Sequence, residues 1–324
     1  MGKINIVTGA AGFIGSVLSQ QLMNAGMENI VAADDFSIES KKQNFDNKPF
    51  ADRIHRDNLL AFLNKYPNDI GCIFHIGART DTTEFDVSVF DKLNLNYTKD
   101  LWKFSSVKRI PFIYASSAAT YGDGELGYKD DHDLVKKLKP LNPYGESKNN
   151  FDKWAVNQAE TPPFWAGLKF FNVYGPNEYH KGRMASVIFH AFNQIKKTGG
   201  MQLFRSHRPD FADGMQSRDF IYVKDIASII SFLYEKRPES GLYNAGTGMA
   251  RPFLHLVEAV FAALKRQPQI GFIDTPEDIR DKYQYFTEAD MNKLILAGYS
   301  KPFVSLESGV GEYVSEYLVS HKYE

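Results

Sequence analysis

Cysteine is all but absent from this chain: Cys72 is its only one. A lone cysteine excludes an intramolecular disulfide and any metal site built from several thiolates, and no metal centre is expected. It lies in the apolar run Gly71-Cys72-Ile73-Phe74 and reads as a small buried hydrophobe. Long apolar runs are missing as well. No stretch approaches the roughly 20 residues that span a bilayer. The first apolar run, Ile4-Asn5-Ile6-Val7, is interrupted too soon for a secretory core. Nor does one sign of charge dominate: 38 basic against 39 acidic side chains leave a formal charge of −1. That offers no footprint for a polyanion, so neither nucleic acid nor a membrane is expected as a partner, and a cytosolic location is.

What is there suits a globule. With 43% hydrophobic and 24% charged residues, 324 residues can build two domains, or one large α/β unit with an added lobe. Through the first half, short apolar runs alternate with helix-like spacing. Ile4–Val7, Asn29–Ala33, Ile70–Phe74, Phe112–Ala115 and Gly167–Phe171 read as strands. Gly15–Ala25, Leu59–Tyr66, Phe90–Ser106 and Asn142–Gln158 read as helices, with Gly26 as a C-terminal cap. Alternation of this kind predicts βαβ units closing into a doubly wound parallel sheet, the Rossmann fold. After Asn172 the pattern breaks into short strands and helices. We expect residues 1–172, completed by about 215–248, to form the sheet domain, and 173–214 with 249–324 a smaller α/β lobe.

Two constellations carry chemistry. The first is Gly9-Ala10-Ala11-Gly12-Phe13-Ile14-Gly15, between strand one and helix one. Glycines allow a tight turn and close approach of backbone to a pyrophosphate, and the helix N-terminus offers free N–H groups to it. Asp34, 19 residues beyond Gly15, stands where a carboxylate can accept a hydrogen bond from the adenosine ribose, which favours NAD. Lys41, Lys42, Arg53 and Arg56 downstream could rim a 2′-phosphate or simply be solvated charges, so the residues alone leave NAD against NADP open. His75-Ile76-Gly77-Ala78 ends strand three with small residues over which a cofactor can lie. Asn94 suits either a buried clamp or a ligand contact. The second constellation is Ser116-Ser117 at the end of strand four, followed by Tyr144 and Lys148 at i and i+4 on the next helix. A lysine ammonium beside a tyrosine favours its phenolate, which a free phenol with a pKa near 10 does not reach at neutral pH.

On these residues the chain resembles the extended short-chain dehydrogenase/reductase family. The glycine motif, Ser117, Tyr144 and Lys148 match its cofactor and catalytic motifs. Asn172-Val173-Tyr174-Gly175-Pro176, Arg218–Asp225 and Asn244–Gly248 match its substrate-lobe motifs. Within it the chain is most similar to the ADP-heptose 6-epimerases, through Tyr114–Gly122, Tyr179–Val187, Tyr283–Asp290 and Ala297–Phe303. The resemblance implies a homo-oligomer that inverts C6 of ADP-D-glycero-β-D-manno-heptose, a lipopolysaccharide-core precursor, with NADP, or NAD in its place, tightly bound. It puts Tyr144 and Lys181 at two acid/base positions, Ser117 at the catalytic serine and Lys148 at the cofactor-holding lysine. Gly9, Ala11, Gly12, Phe13, Ile14, Gly15, Asp34, Asp35, Lys41, Arg56, Ile76, Gly77, Ala78, Asn94 and Val173 fall toward the cofactor, as do Tyr144, Lys148 and Lys181. Ser117, Asn172, Arg183, His190, Phe204-Arg205-Ser206, Arg218 and Tyr283 fall toward the nucleotide sugar. Two positions depart from the pattern: Asp35 where an amide is usual, and Arg183 where a small hydroxyl residue is usual. Without the resemblance Lys181 reads as a solvated loop lysine.

The rival enzyme class, a dehydratase of the same family, needs an Asp-Glu pair directly after the strand-end hydroxyl. Ala118-Ala119 stand there and transfer no protons. A 4-epimerase of another nucleotide sugar is the nearer alternative. A redox-sensing binding module would keep the dinucleotide fold without needing the serine, tyrosine and lysine together.

Overall fold

The computed structural model describes residues 2–82, 84–280 and 283–324. The first half runs β1 (Ile4–Thr8), α1 (Phe13–Asn24), β2 (Ile30–Asp34), β3 (Asp52–His55), α2 (Leu59–Lys65) and β4 (Ile70–His75). A bent helix follows, α3 (Val87–Phe90) passing through a π turn (Asp91–Asn96) into α4 (Tyr97–Lys108). Then come β5 (Phe112–Ser117), α5 (His132–Val135), α6 (Pro143–Ala155), β6 (Trp165–Phe170) and β7 (Asn172–Tyr174). The remainder contains α7 (Val187–Thr198), β8 (Met201–Phe204), β9 (Ser217–Tyr222), α8 (Val223–Lys236), β10 (Gly241–Ala245), β11 (Ala250–Pro252) and α9 (Phe253–Ala263). It ends with β12 (Ile270–Ile273), α10 (Glu277–Arg280), α11 (Asn292–Leu296) and α12 (Leu306–Glu312).

Among the described residues the main sheet has seven strands in the order β10-β6-β5-β4-β1-β2-β3, and every pairing in it is parallel. Period-two alternation sorts its side chains. Val7, Ala32, Phe74, Ile113 and Leu168 pack with Leu18 and Leu22 of α1 and Ile226, Ile229 and Ile230 of α8. Ile6, Val31, Ala33, Ile73, Phe112 and Trp165 pack with Leu63 of α2, Leu101 and Trp102 of α4 and Phe151 of α6. Burying each of the larger of these side chains contributes about 1.5–3 kcal/mol, and with both faces apolar both must be covered. The chain reverses direction of travel across the sheet at β1, whose neighbours are β2 and β4. That reversal opens a crevice at the carboxyl ends of β1 and β4.

A second core joins α7, α9 and α12 through Ile188, Phe192, Leu256, Val260, Phe261 and Val310. Beside it lie two small sheets, β11-β9-β7 and β12-β8. No helix among the described residues is long and apolar enough to cross a membrane.

Two features depart from the sequence expectation. β3 falls in what reads as a polar stretch, because only Ile54 of its four residues is even half-buried. Its exposed charges suit a sheet edge, where they discourage further pairing. The helix expected from Phe90 starts at Val87 and carries the π turn, a local widening that the helix-like spacing does not reveal. At the opposite edge, the outward N–H groups of Leu242 and Asn244 on β10 donate to His132 Nε2 (3.0 Å) and Asp130 Oδ2 (2.7 Å).

Candidate active site

At the crevice, Gly9 takes φ +69°, and a Cβ on it would lie 2.6 Å from Gly77 Cα. The two strand ends meet so closely that only glycine fits. A Cβ on Gly15 would come within 2.1 Å of Gly9 O, so the first turn of α1 also lies directly on the loop. Gly12 caps α1 with no side chain, leaving the first N–H groups of the helix for a ligand. Loop, bare helix terminus and small strand ends (Ile76-Gly77-Ala78) together fit a dinucleotide pyrophosphate.

Asp34, buried at the end of β2, accepts from Ala11 N–H (2.9 Å), Asp35 N–H (2.7 Å) and Lys41 Nζ (3.2 Å). Asp35 faces Arg56 at 3.6 Å, and its hydrogen bonds with Ser37 hold its carboxyl below the usual range. The two acids and two cations expected around the adenosine ribose are therefore assembled, each acid against one cation. Asn94, aimed inward by the π turn, is a clamp. It accepts from Arg79 N–H (2.8 Å) and donates to Arg79 O (2.9 Å) and Ser147 Oγ (3.0 Å).

Ser117, Tyr144 and Lys148 come together at the carboxyl end of β5. Asn142 accepts from Gly145 N–H at 2.8 Å and Pro143 opens the helix, so α6 begins where Tyr144 sits in its first turn. Lys148 is buried and donates to Ala115 O at 2.7 Å. Burial pulls its ammonium down to about 8, with the Asp152 carboxylate opposing. A hydrogen bond with the Ser117 hydroxyl lowers the Tyr144 pKa, but burial and the Asp152 charge outweigh it and the phenol stands above its ordinary value. The sequence expectation joins the lysine to the positive ring of an oxidised cofactor, and the chain's own residues do not on balance lower Tyr144. Desolvation is the larger effect.

Lys181 lies in the segment Tyr179–Met184, its ammonium 5.3 Å from the Phe13 ring at the start of α1. It is half-buried rather than a free loop lysine, and burial lowers its pKa against the pull of Glu178. The structure thus puts Lys181 at the glycine loop. Val173 is half-buried on β7 and Asn172 exposed beside it. Of the residues expected toward the sugar nucleotide, Phe204, Arg218 and Tyr283 gather. Arg218 lies 5.6 Å over the Tyr283 ring, which meets Phe204 edge-on at 6.2 Å. Gln284 donates to Gly122 O, tying this group to the turn after Ser117. Arg183 and His190 meet each other, the ring nitrogen 3.3 Å from Arg183 O. Arg205 pairs with Asp213 and Asp274 at the surface, and Ser206 N–H donates to Asp213 (2.8 Å).

The family model described as "NAD dependent epimerase/dehydratase family" matches residues 5–246. The chain belongs to that family. An ADP-L-glycero-D-manno-heptose-6-epimerase from Fusobacterium nucleatum is 47% identical, over 97% of this chain and 97% of its own length. One from Nitratidesulfovibrio vulgaris is 48% identical, over 97% of this chain and 98% of its own. The crystal structure of the Helicobacter pylori ADP-L-glycero-D-manno-heptose-6-epimerase superposes with a TM-score of 0.82 at 26% identity, covering 97% of this chain and 96% of that one. For this epimerase/dehydratase family member, a nicotinamide dinucleotide is the cofactor class.

Sequence reasoning missed two asparagines. Asn44 donates to Ala11 O (3.0 Å) and Asn177 O (3.1 Å), joining the glycine loop to the segment that carries Lys181. Asn177, buried at φ +74°, donates in turn to Ser16 Oγ (2.9 Å). Neither lies in a chemical motif; the signal is a buried amide bonded to distant backbone. The hydrogen bonds of His75, which the sequence marks only as the end of a strand, are not legible there either. Its Nδ1 meets Thr8 Oγ (2.7 Å) and its Nε2 Thr98 Oγ (2.8 Å), and burial takes its pKa down to about 3.

Proposed function

We propose that the protein interconverts the C6 epimers of ADP-D-glycero-β-D-manno-heptose and ADP-L-glycero-β-D-manno-heptose. The observation that carries this is the meeting of Ser117, Tyr144 and Lys148 at the strand end beside the glycine cradle, followed by Ala118-Ala119 where a dehydratase needs acids. Bound nicotinamide dinucleotide supplies the acceptor, and later the donor, of the C6 hydride. An unactivated sugar C–H is too weakly acidic for direct proton removal, so the chain's task is to manage the hydroxyl proton. Tyr144 handles that proton in one of the two half-reactions, either as a ketone forms at C6 or as the centre is rebuilt on its other face. Ser117 holds the oxygen. Lys148 supplies positive charge beside the phenol.

C6 lies outside the sugar ring, so rotation about one bond presents the opposite face and carries the oxygen to the other side. One fixed phenol cannot reach both positions. Lys181 is the second proton carrier in this reading. Burial lowers its pKa against the pull of Glu178, and a lowered amine pKa eases proton exchange, which supports the role. Asn172, Arg183, His190, Phe204, Arg205, Ser206, Arg218 and Tyr283 are the residues that would hold the nucleotide sugar. NADP is the form we favour, with Lys41 and Arg56 meeting the 2′-phosphate. Asp34 and Asp35 are the features that would favour NAD.

The test is incubation with ADP-D-glycero-β-D-manno-heptose followed by NMR. The 6-epimer should accumulate to equilibrium, with deuterium placed at C6 retained in the product. Loss of that label to solvent would point to proton abstraction, and inversion of another nucleotide sugar instead would make the protein a different epimerase.

A further inference from the structure

Behind the site lies a buried ion pair that the chemistry above does not use. Lys169 on β6 and Asp152 on α6 meet at 2.8 Å with 1% and 0% of their side chains exposed. A buried pair is weak evidence for stability, because the cost of desolvating two charges commonly matches their attraction. Its contacts give it a different role. Asp152 accepts from the hydroxyls of Tyr114 (2.9 Å) and Ser116 (2.7 Å) as well as from Lys169. Lys169 also donates to Thr120 Oγ (2.7 Å), and the Thr120 hydroxyl donates to Ser117 O (2.8 Å). The pair therefore grips the residue before Ser117 and the turn after it. On α6, Tyr144, Lys148 and Asp152 recur every four residues and share one face. Phenol, ammonium, carboxylate and ammonium follow one another from the site into the core.

We propose that Asp152 and Lys169 are positioning residues for the site. Asp152 supplies the negative charge that keeps Lys148 an ammonium in its buried seat, and Lys169 holds Asp152 where it can do so while fixing the Ser117 turn. The groups facing Asp152 are Lys169 from β6, Tyr114 and Ser116 from β5, Tyr121 from the turn after β5, and His132 from α5. Lys148 and Tyr144 face it from its own helix. Of these only Lys148 and Lys169 are lysines, and only Lys148 lies one turn from Tyr144 on α6. The consequence for turnover rests on the epimerase reading. The charge on Lys148 does not, and can be measured without substrate.

The experiment follows Lys148 in the full chain by NMR with 13Cε-lysine, its signal assigned with Lys148→Arg. In the parent protein the midpoint should lie near pH 8. In Asp152→Asn it should fall by at least about one unit, a tenfold loss of proton affinity. Lys169→Arg, which keeps the charge, should move the Lys148 midpoint less than Asp152→Asn does. The paired replacement Asp152→Leu with Lys169→Met removes both charges together and so leaves no buried ion without its counter-charge. It provides the measurement should Asp152→Asn not fold, and it too should lower the Lys148 midpoint. Where the variants turn over substrate, the alkaline limb of kcat should move down with that midpoint while KM changes little. A folded variant without the Asp152 charge whose Lys148 still titrates near pH 8 would overturn the proposal. A shifted midpoint in a protein that epimerises nothing would sustain it while refuting the epimerase reading.

Discussion

Tyr144 is a base only if something offsets its burial. Without a bound partner the chain holds its phenol above the ordinary value, and the Ser117 hydrogen bond recovers part of the difference. The oxidised cofactor's positive ring would add to that recovery. Tyr144→Phe should therefore lower kcat by about 10²–10⁴-fold, with dinucleotide binding, followed by fluorescence titration, retained. Lys181→Ala should be damaged to a similar degree. Near-normal turnover in that variant would leave a single-base scheme. Ser117, Tyr144, Lys148 and the glycine loop are legible in the sequence because each chemistry fixes a residue type and a spacing. The direction of the Tyr144 shift is not, since spacing gives the lysine's neighbourhood but says nothing of desolvation. Asn44 and Asn177 stay hidden for a related reason: their partners lie 33 to 161 residues away.

At the scale of elements, α6 does most to place the site, and its start decides where Tyr144 points. The Asn142 cap serves the first turn directly. Asn142→Ala should cost about 1 kcal/mol of stability, read from the urea unfolding midpoint. It should also lower kcat by more than that loss of folded protein accounts for, because the frayed turn carries the phenol. A variant with altered stability and unaltered kcat would mean that packing alone fixes Tyr144. The strands and helices around this element announce themselves by apolar period. β3 does not, being a short edge strand whose charges face water, and the π turn does not, because one extra residue in a helix leaves no compositional trace. The placing of Asn94 depends on that turn, which is why its clamp function emerges only from the fold.

At the scale of the whole molecule, two buried histidines make part of the stability sensitive to acid. The raised carboxyls of Asp130, Glu178, Asp219 and Asp225 act in the opposite sense. Burial takes His75 down to about 3 and His180 to about 4, so both are neutral in the native protein well below the ordinary histidine value. The unfolded chain binds their protons below about pH 6.5, and the native chain does not. Their contribution is therefore complete above that pH and is lost as the pH falls toward 4 and 3. His75 alone should remove roughly 1.4 kcal/mol per pH unit across that window. Urea unfolding at pH 7 and pH 5 should show a larger drop in midpoint for the parent than for His75→Gln, and equal drops in the two would contradict the burial of the His75 ring.

The side chains of His132 and Asp130 along β10 bear on how copies of this molecule can meet. Strand addition needs a row of unanswered backbone donors, and on that flank Leu242 and Asn244 have already spent theirs. An incoming extended segment would have to evict both side chains before gaining its first rung. The opposite flank, β3, greets it with Asp52, Arg53 and His55. Continuous cross-molecule sheets, and the fibrous aggregates that grow from them, are thus discouraged at both edges of the main sheet.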